Sequence, residues 1–433
     1  MKRLLAMALI LLVFLLNFPL CCAAPLNIEA EAYILMDIKS GQVLCEKDSE
    51  NKKLYPASTT KIMTAIVALE NSTLDTMMTA SQAAVYDIGK DGMNIGIMPG
   101  EVLSLEQLLH ALLIVSANEA ANIIAENVCD TRQEFIDLMN KRAQELGAKN
   151  THFVNANGMH DNNHYTTAKD MALIAKHAMN IPEFREIVSK TEYTPIATNK
   201  HPSWPTLYSS NKLLRFYNDS ELFEVTGIKT GYTGPAGFNL VSSGKNNEGM
   251  ELLSVILGVS ASDNKDSVYK YSRQLLEYGF ENYSIQSLVR KGQVIKTVQV
   301  DPGTGTAEDL NIVADNSISA VLPVENYNAS LNTKEYIKPR IEVPVYKGDI
   351  LGYLEYENNG ITLGRVNLVA SKTIEKVILE KTSTEKIKEV FTNPVFLKVA
   401  KISTCVIIGF ALLRFTLRRI SRRYRRRVRR RYY

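Results

Sequence analysis

A serine and a lysine in the stretch PASTTKIMTA have the types and spacing of a nucleophile and its base. Ser58 follows Tyr55-Pro56-Ala57, a non-helical approach, and the apolar residues of 62–69 then recur as in a buried helix. Ser58 is therefore predicted at a helix N-terminus, where free N–H groups and the positive dipole end favour developing negative charge. Lys61 lies one turn later on the same helix face. The two side chains are predicted to touch.

This spacing alone is weak evidence, because serine often caps a helix for structural reasons. A serine hydroxyl is a poor nucleophile until a base takes its proton, and a lysine can be that base only when burial or a nearby cation lowers its pKa. Two further motifs supply candidates for such partners: Ser116-Ala117-Asn118 between two predicted helices, and Lys229-Thr230-Gly231 before the last predicted strands of this region.

Each of these motifs has side chains suited to a peptide substrate. Ser116 could relay a proton to a leaving amine, and Asn118 could hydrogen-bond a substrate amide. Lys229 could be the cation that lowers the pKa of the base, and with Thr230 it could hold a carboxylate. Gly231 would let the strand edge lie close against an extended substrate.

The motifs Ser-x-x-Lys, Ser-x-Asn and Lys-Thr-Gly, in this order, resemble those of the penicillin-recognising serine enzymes. Five longer stretches resemble the D-alanyl-D-alanine carboxypeptidases among the low-molecular-weight penicillin-binding proteins, and the β-rich region and apolar C-terminal segment also fit that family, so the resemblance covers about Ala32 to the end of that segment. The five stretches are PASTTKIMTA, LLIVSANEAAN, KNTHFVNANGMHDNNHYTTAKDMALIA, SSNKLL and GIKTGYTGPAGFNLVSSG. A literal Ser-Asp-Asn at 262–264 is rejected because it follows the Lys-Thr-Gly motif, and chain order favours Ser116.

The resemblance implies an acyl-enzyme on a serine, with a lysine as its base, a Ser-x-Asn proton relay and a Lys-Thr-Gly strand that binds the substrate carboxylate. The implied catalytic residues are Ser58, Lys61, Ser116 and Asn118, and the implied substrate-binding residues are Lys229, Thr230, Gly231, Tyr232 and Thr233. The backbone N–H groups of Ser58 and Tyr232 would form the oxyanion hole. The role of the Tyr232 side chain stays open.

The expected function is a serine-type D-Ala-D-Ala carboxypeptidase that removes the terminal D-alanine of peptidoglycan stem peptides, with β-lactam antibiotics as inhibitors. Two alternatives remain: a β-lactamase, or an inactive binding or sensor module with a remnant site. The first is disfavoured because no Glu-x-x-Leu-Asn motif supplies a water activator, and the second because all required side chains are present. No metal or other cofactor is expected, since no Cys/His cluster has ligand spacing.

Composition and pattern predict an α/β fold with a smaller all-β domain. The chain has 433 residues, of which 45% are hydrophobic and 22% charged, which suits two or more globular domains. A hairpin in 33–46, helices in 103–115, 120–128 and 133–146, and strands in 228–259 would form one sheet flanked by helices, with the β-lactamase/transpeptidase-like fold that the resemblance implies. Short strands and turns fill 287–377.

The predicted boundaries are 1–24 for a signal peptide, 25–285 for the peptidase domain, 286–380 for the all-β domain, 381–394 for a linker, 395–417 for a membrane anchor and 418–433 for an Arg-rich tail.

The two ends of the chain differ from its body. Residues 1–24 have the pattern of a secretory signal, with a retained anchor as the alternative. Eleven arginines lie in 414–433, and subtracting them with Lys2 and Arg3 from the formal charge of +4 leaves −9, so nucleic acid is not an expected partner. The apolar segment predicts an enzyme on the outer face of the cytoplasmic membrane, held either by a spanning helix or by a helix lying on the surface.

The remaining titratable residues are interpreted as structural. Cys45 and Cys129 of the exported body are expected as two buried thiols or one bridge. The loop histidines His152, His160 and His164 are expected to hydrogen-bond locally. Asp170 is expected to order a loop or a helix start.

Overall fold

The computed structural model describes residues 26–90, 92–262, 264–325, 331–358, 360–378 and 383–429. The strands are β1 (Ala32–Asp37), β2 (Val43–Lys47), β3 (Met77–Thr79), β4 (Val102–Ser104), β5 (Glu192–Tyr193), β6 (Leu207–Tyr208), β7 (Glu224–Thr233), β8 (Gly237–Lys245), β9 (Glu251–Val259), β10 (Tyr283–Val289), β11 (Val294–Val300), β12 (Glu308–Ala314), β13 (Ile318–Pro323), β14 (Leu331–Ile337), β15 (Ile350–Asn358) and β16 (Ile361–Ala370). The helices are α1 (Lys61–Asn71), α2 (Gln82–Tyr86), α3 (Leu105–Ile114), α4 (Asn118–Val128), α5 (Arg132–Glu145), α6 (Ala168–Ala178), α7 (Pro182–Val188), α8 (Lys212–Phe216), α9 (Ser267–Asn282), α10 (Ser383–Thr392) and α11 (Pro394–Arg429).

A five-stranded antiparallel sheet joins the first strands of the chain to strands nearly 200 residues later. Its order is β2-β1-β9-β8-β7, with Tyr33 opposite Ile256 where β1 meets β9. The hairpin, the helical middle and the later strands therefore form one α/β fold, as the sequence predicts. β7, which carries the Lys-Thr-Gly motif, is an edge strand and leaves one side open to a substrate.

Helices cover both faces of this sheet. One hydrophobic core contains α1, α3 and α4, and a second core contains α9, a helix not anticipated from the sequence. A Cβ at Gly279 of α9 would come within 2.5 Å of Leu252 and 2.7 Å of Leu35, so glycine allows this helix to pack closely on the sheet. α3 begins with a capping box between Ser104 and Gln107, which fixes its start just after β4. These helices hold the motif-bearing turns against β7.

Contacts divide the chain into two compact units. The larger comprises 1–291, 316–336 and 353–367, and the smaller comprises 292–315, 337–352 and 368–433. Within the larger unit β10 pairs with β13. Within the smaller unit β11 pairs with β12, and β12 pairs with the end of β16. The seven strands described within 283–370 lie in the region expected to be β-rich, except that β10 begins at Tyr283, before residue 287, whereas the domain boundaries given above stay predictions.

The last described helix, α11, is long and apolar enough to cross a membrane by length and composition alone. Its most apolar window of 18 residues has a mean hydropathy of 2.0, and none of that window is buried. The predicted signal peptide lies outside the described residues. Cys45 and Cys129 are free, half-buried thiols without a bridge between them, and Cys405 is exposed on α11.

Candidate active site

Ser58 lies in a short 3₁₀ turn, Ala57–Thr60, that leads directly into α1. Ser58 therefore lies at a helix N-terminus, as predicted, although the first turn is 3₁₀ and the α-helix α1 begins only at Lys61. Ala57 takes a left-handed φ of 48°, a strained conformation for alanine of the kind found at functional sites. Asn239 of β8 holds the segment before this turn in place, because its Nδ2 donates to the carbonyls of Tyr55 (2.9 Å) and Pro56 (3.0 Å).

The Lys61 amino group is buried at the centre of the site. Its Nζ donates to Ser58 Oγ at 3.0 Å, to Asn118 Oδ1 at 2.7 Å and to the Asn157 carbonyl at 2.5 Å. Burial lowers the Lys61 pKa well below its usual value, and the charge of Lys229 lowers it further. A neutral lysine at hydrogen-bond distance from a serine hydroxyl is positioned to act as its general base.

Ser116 and Asn118 lie at the junction between α3 and α4. Ser116 has a left-handed φ of 69°, and within the described part of the chain its buried Oγ has no hydrogen-bond partner. Asn118 is the first residue of α4, and its Nδ2 donates to the Ile88 carbonyl at 3.2 Å. The Asn118 amide is thereby oriented so that its oxygen faces Lys61. The structure thus brings Asn118 into direct contact with Lys61 and leaves Ser116 Oγ free to bind another group.

The strand β7 contributes the second buried lysine. Lys229 Nζ donates to the Thr230 carbonyl at 3.1 Å and lies 3.5 Å from Thr230 Oγ1. Burial lowers the pKa of Lys229 to about 7. Thr230 Oγ1 is also 3.0 Å from Ser210 Oγ. An ammonium group beside hydroxyls at an open sheet edge is suited to binding a carboxylate.

The rest of β7 closes against the turn that contains Ser58. A Cβ at Gly231 would come within 2.9 Å of the Pro56 carbonyl and 3.2 Å of the Thr59 backbone nitrogen, so only glycine permits this approach. Tyr232 is half exposed and its ring stacks on Phe238 at 4.5 Å. Thr233 ends the strand.

Residues 155–159, whose function was not predicted, form the floor of the site. Besides the Asn157 carbonyl that binds Lys61, this loop contains Gly158, with a φ of +85°. A Cβ there would lie 2.0 Å from the Ala57 carbonyl oxygen. The Asn155 side chain accepts from Gly158 N at 2.7 Å and donates to the Met159 carbonyl at 2.9 Å, which fixes the turn. The Asn-Gly pair in NANGMH was the available signal.

The loop histidines differ in their contacts. His152 Nδ1 bonds the Asn163 carbonyl nearby at 2.7 Å, as expected. His164 does not bond only locally: its Nε2 lies 2.8 Å from Oγ1 of Thr60, the last residue of the turn that contains Ser58. Burial lowers the His164 pKa to about 3, so this ring is neutral. The ring of His160 meets that of Tyr55 edge to face at 4.6 Å.

Two buried carboxylates support the site from outside. Asp170, in the first turn of α6, accepts from Asn150 N at 2.7 Å and Thr151 Oγ1 at 2.8 Å and so orders the preceding loop, as expected. Glu119 follows Asn118 and accepts from Ile95 N at 2.7 Å. Burial raises the pKa of both carboxyl groups.

A cleft of about 330 Å³ opens beside Ser58, Asn118 and Tyr232, whereas Ser116, Lys229, Thr230 and Gly231 are not among its lining residues. It is lined by Ser58, Lys90, Gly92, Met93, Asn118, Asn157, Gly158, Met159, His160, Tyr232, Thr233 and Gly234. The rejected motif is elsewhere: Ser262 follows β9, where its hydroxyl bonds Ser260 at 2.7 Å, and Asp263 lies outside the described residues.

Two family models match this chain. Residues 21–261 match the family described as D-alanyl-D-alanine carboxypeptidase, which covers more than half of the sequence. Residues 283–376 match the C-terminal domain of penicillin-binding protein 5. The first match contains the whole cleft, and the second contains the β-rich region.

Individual proteins agree with the family models. The chain is 30% identical over 390 residues to D-alanyl-D-alanine carboxypeptidase DacF of Bacillus subtilis (strain 168), which covers 87% of this chain and 95% of that protein. It is 30% identical over 365 residues to D-alanyl-D-alanine carboxypeptidase DacC of Escherichia coli (strain K12), covering 81% of this chain and 85% of that one. The structure of penicillin-binding protein 5 from Haemophilus influenzae aligns with a TM-score of 0.63 at 27% identity, covering 81% of this chain and 99% of that one.

Proposed function

Because this chain belongs to the D-alanyl-D-alanine carboxypeptidase family, we propose which of its residues carry out the reaction and where it acts. The protein is a serine-type D-Ala-D-Ala carboxypeptidase and a penicillin-binding protein with a β-lactamase/transpeptidase-like α/β fold. It belongs to a family that acts on peptidoglycan peptides. Its specific substrate is proposed to be the stem peptide ending in D-Ala-D-Ala.

Acylation starts when Lys61 takes the proton of Ser58 Oγ. The serine oxygen attacks the carbonyl of the penultimate D-alanine, and the backbone N–H groups of Ser58 and Tyr232 stabilise the oxyanion. Ser116 relays this proton from Lys61 to the nitrogen of the departing D-alanine and keeps its own hydroxyl protonated, a role supported by its buried hydroxyl without a partner. Asn118 orients Lys61 and the substrate amide. Water then releases the shortened peptide from Ser58.

Substrate binding is assigned to β7. Lys229 and Thr230 bind the terminal carboxylate, and Gly231 to Thr233 lie along the extended peptide. The buried position of Lys229 supports this role, because an ammonium group with a lowered pKa gains a partner for its charge when a carboxylate binds.

One observation carries the assignment of the nucleophile. Lys61 Nζ lies 3.0 Å from Ser58 Oγ, and its pKa is lowered by complete burial and by Lys229. Where a serine only caps a helix, a lysine three residues later is solvated and is not buried in this way. The hydroxyl and its base are therefore already paired before a substrate arrives.

Mass spectrometry after incubation with penicillin tests the nucleophile. The expected adduct is on Ser58, with slow release of the bound drug and turnover of a D-Ala-D-Ala peptide by the same preparation. Ser58→Ala should form no adduct, and Ser262→Ala, altered in the rejected motif, should be acylated like the unaltered protein. An adduct on Ser116 or Ser262 would disprove the assignment. Rapid penicillin hydrolysis without peptidase activity would indicate a β-lactamase instead.

The location is proposed from the two ends of the chain. Residues 1–24 direct export, and the apolar part of α11, residues 395–417, anchors the enzyme with its catalytic unit outside and the arginines inside. Only 402–413 is free of charge, so Lys398 and Lys401 must extend to the outer interface and Arg414 to the inner one. Positively charged residues are retained on the cytoplasmic side of the membrane during insertion. The arginines therefore favour a helix that spans the membrane over one that lies on its surface.

Protease added to intact spheroplasts distinguishes these two arrangements. A tag placed after Tyr433 should be protected if α11 spans the membrane, while the catalytic unit is digested. A tag that is removed as fast as the catalytic unit would establish a helix lying on the outer surface. Permeabilised spheroplasts, in which both must be digested, are the control.

A further inference from the structure

The proposed roles along β7 fix the direction of a bound peptide. If Lys229 holds the terminal carboxylate and the Tyr232 N–H faces the scissile carbonyl, then the chain upstream of that carbonyl continues past Thr233 to Gly234. The peptide thus runs antiparallel to β7, as an added strand does at an open sheet edge. This inference rests on the proposed function.

Gly234 is the point where the cleft opens into a second groove. It lines both the 330 Å³ cleft and a neighbouring groove of about 640 Å³. A Cβ on Gly234 would meet no atom within 4 Å, so the space above it is open. A peptide leaving the cleft past Gly234 enters this groove.

The groove has walls that suit a peptide with charged side groups. Tyr55 lies between the two spaces, since its ring contacts His160 of the cleft and it also lines the groove. On the groove side the Lys53 ammonium lies 4.2 Å from the centre of the Tyr165 ring. The remaining lining residues that bear on charge or hydrogen bonding are Glu31, Asn162, Ser260 and Ser262.

The charges of the groove favour an anion near Lys53. Glu31 is already paired with Lys52. Lys53, in contrast, is exposed and forms no ion pair with any carboxylate among the described residues. A carboxylate carried upstream of the D-Ala-D-Ala end of a longer peptide would reach Lys53 in this groove, whereas a short acyl-D-Ala-D-Ala substrate ends before it.

We propose that this groove, which we term the upstream groove, is a subsite for the stem-peptide residues that precede D-Ala-D-Ala, with Lys53 pairing with a carboxylate that they carry. The subsite distinguishes a peptidoglycan peptide from a bare D-Ala-D-Ala terminus. Because the contact is remote from the reacting carbonyl and is made before the reaction, it lowers KM more than it raises kcat.

Three peptides with the same D-Ala-D-Ala end test the proposal. They are a short acyl tripeptide, a pentapeptide with the upstream carboxylate, and the same pentapeptide with that carboxylate amidated. Lys53→Glu should lower kcat/KM for the acidic pentapeptide about fivefold, mainly through KM, as expected for an exposed ion pair. The tripeptide, the amidated pentapeptide and the rate of acylation by penicillin should change less than twofold.

Lys149→Glu is the matched control, because this substitution makes the same change of charge at another exposed lysine of the same unit. Lys149 lines neither the cleft nor the upstream groove. This variant should leave all three peptides in their original order. Equal loss for the acidic and amidated pentapeptides in Lys53→Glu would overturn the subsite. If the unaltered protein cleaved none of the peptides, the proposed function itself would fail, and if it cleaved all three equally well, only the upstream groove would be wrong.

Discussion

Two sides of the site, the helical wall formed by α1 and α4 and the strand wall formed by β7, each bury a lysine, but in different surroundings. On the helical wall Lys61 donates to Ser58, Asn118 and the Asn157 carbonyl. On the strand wall the hydrogen bonds found for Lys229 among the described residues go to its neighbour Thr230. Both lysines have lowered pKa values because burial disfavours their charge. A buried lysine thus suits proton transfer where several protein groups bind its amino group, as at Lys61. It suits ligand recognition where its amino group has few protein partners and can bind the substrate, as at Lys229.

The largest expected effect comes from the helical wall. Lys61→Ala should reduce acylation by penicillin on the order of 10³-fold or more, since the Ser58 hydroxyl loses its base. The measurement is the rate of adduct formation by intact mass, with circular dichroism to show that the fold is kept. Acylation at the original rate would remove Lys61 from the mechanism and leave the two walls without distinct roles.

The second effect tests the strand wall. The unaltered enzyme should cleave a peptide ending in D-alanine about 10²-fold faster than the same peptide ending in D-alanine amide, because the amide lacks the charge that pairs with Lys229. Lys229→Met should lose most of this preference. Equal cleavage of acid and amide by the unaltered enzyme would show that Lys229 does not recognise the carboxylate.

The same variant has a stability readout. The pKa of Lys229 is about 7 in the folded protein, below its usual value of 10.5. Burying this lysine therefore lowers the free energy of unfolding by its full amount below pH 7, and the loss disappears as the pH rises toward 10.5, the pKa in the unfolded chain. Lys229→Met should therefore raise the melting temperature at pH 7 and lose this advantage toward pH 10. A lower melting temperature at pH 7 would mean that Lys229 is stabilised by contacts not seen here.

The third prediction separates the two lysines by pH. Lys61 must be neutral to accept a proton, so kcat/KM should rise with pH through its lowered pKa. Lys229 must be protonated to bind a carboxylate, so kcat/KM for the acid peptide should fall up to about tenfold per pH unit above about pH 7. The amide peptide should lack this alkaline fall. A fall of equal size for both peptides would assign it to another group.

The smallest effect is expected at Tyr232. Its side chain is half exposed and stacks on Phe238, while its proposed role belongs to the backbone N–H. Tyr232→Ala should therefore change kcat/KM less than about threefold, the scale of one exposed ring contact. Steady-state kinetics with the acid peptide measures this. A loss of 10²-fold would place the side chain itself on the strand wall's binding surface.

Much of the fold follows from local pattern. The β1–β2 hairpin, the apolar helices α3 and α4 and the strands β7 to β9 appear where alternation and helical periodicity predict them, because each period reflects which side chains must face a core. Helix α9 was missed, and the pattern did not show that the first turn of the helical segment, at Ser58, is 3₁₀ and that α1 begins at Lys61. Such boundaries depend on tertiary contacts, here those of Asn239 with the backbone of Tyr55 and Pro56.

The sequence by itself determined the order of the three motifs and the spacing that places Ser58 and Lys61 one turn apart, since a local helix geometry is enough for that. Only the tertiary structure decided that Lys61 is buried, that the Asn157 carbonyl and Asn118 bind it, and that Gly158 must pack on Ala57. These contacts join residues 57 to 101 positions apart. The pKa of a lysine depends on the water and charges around it, and these are set by chain segments that meet only after folding.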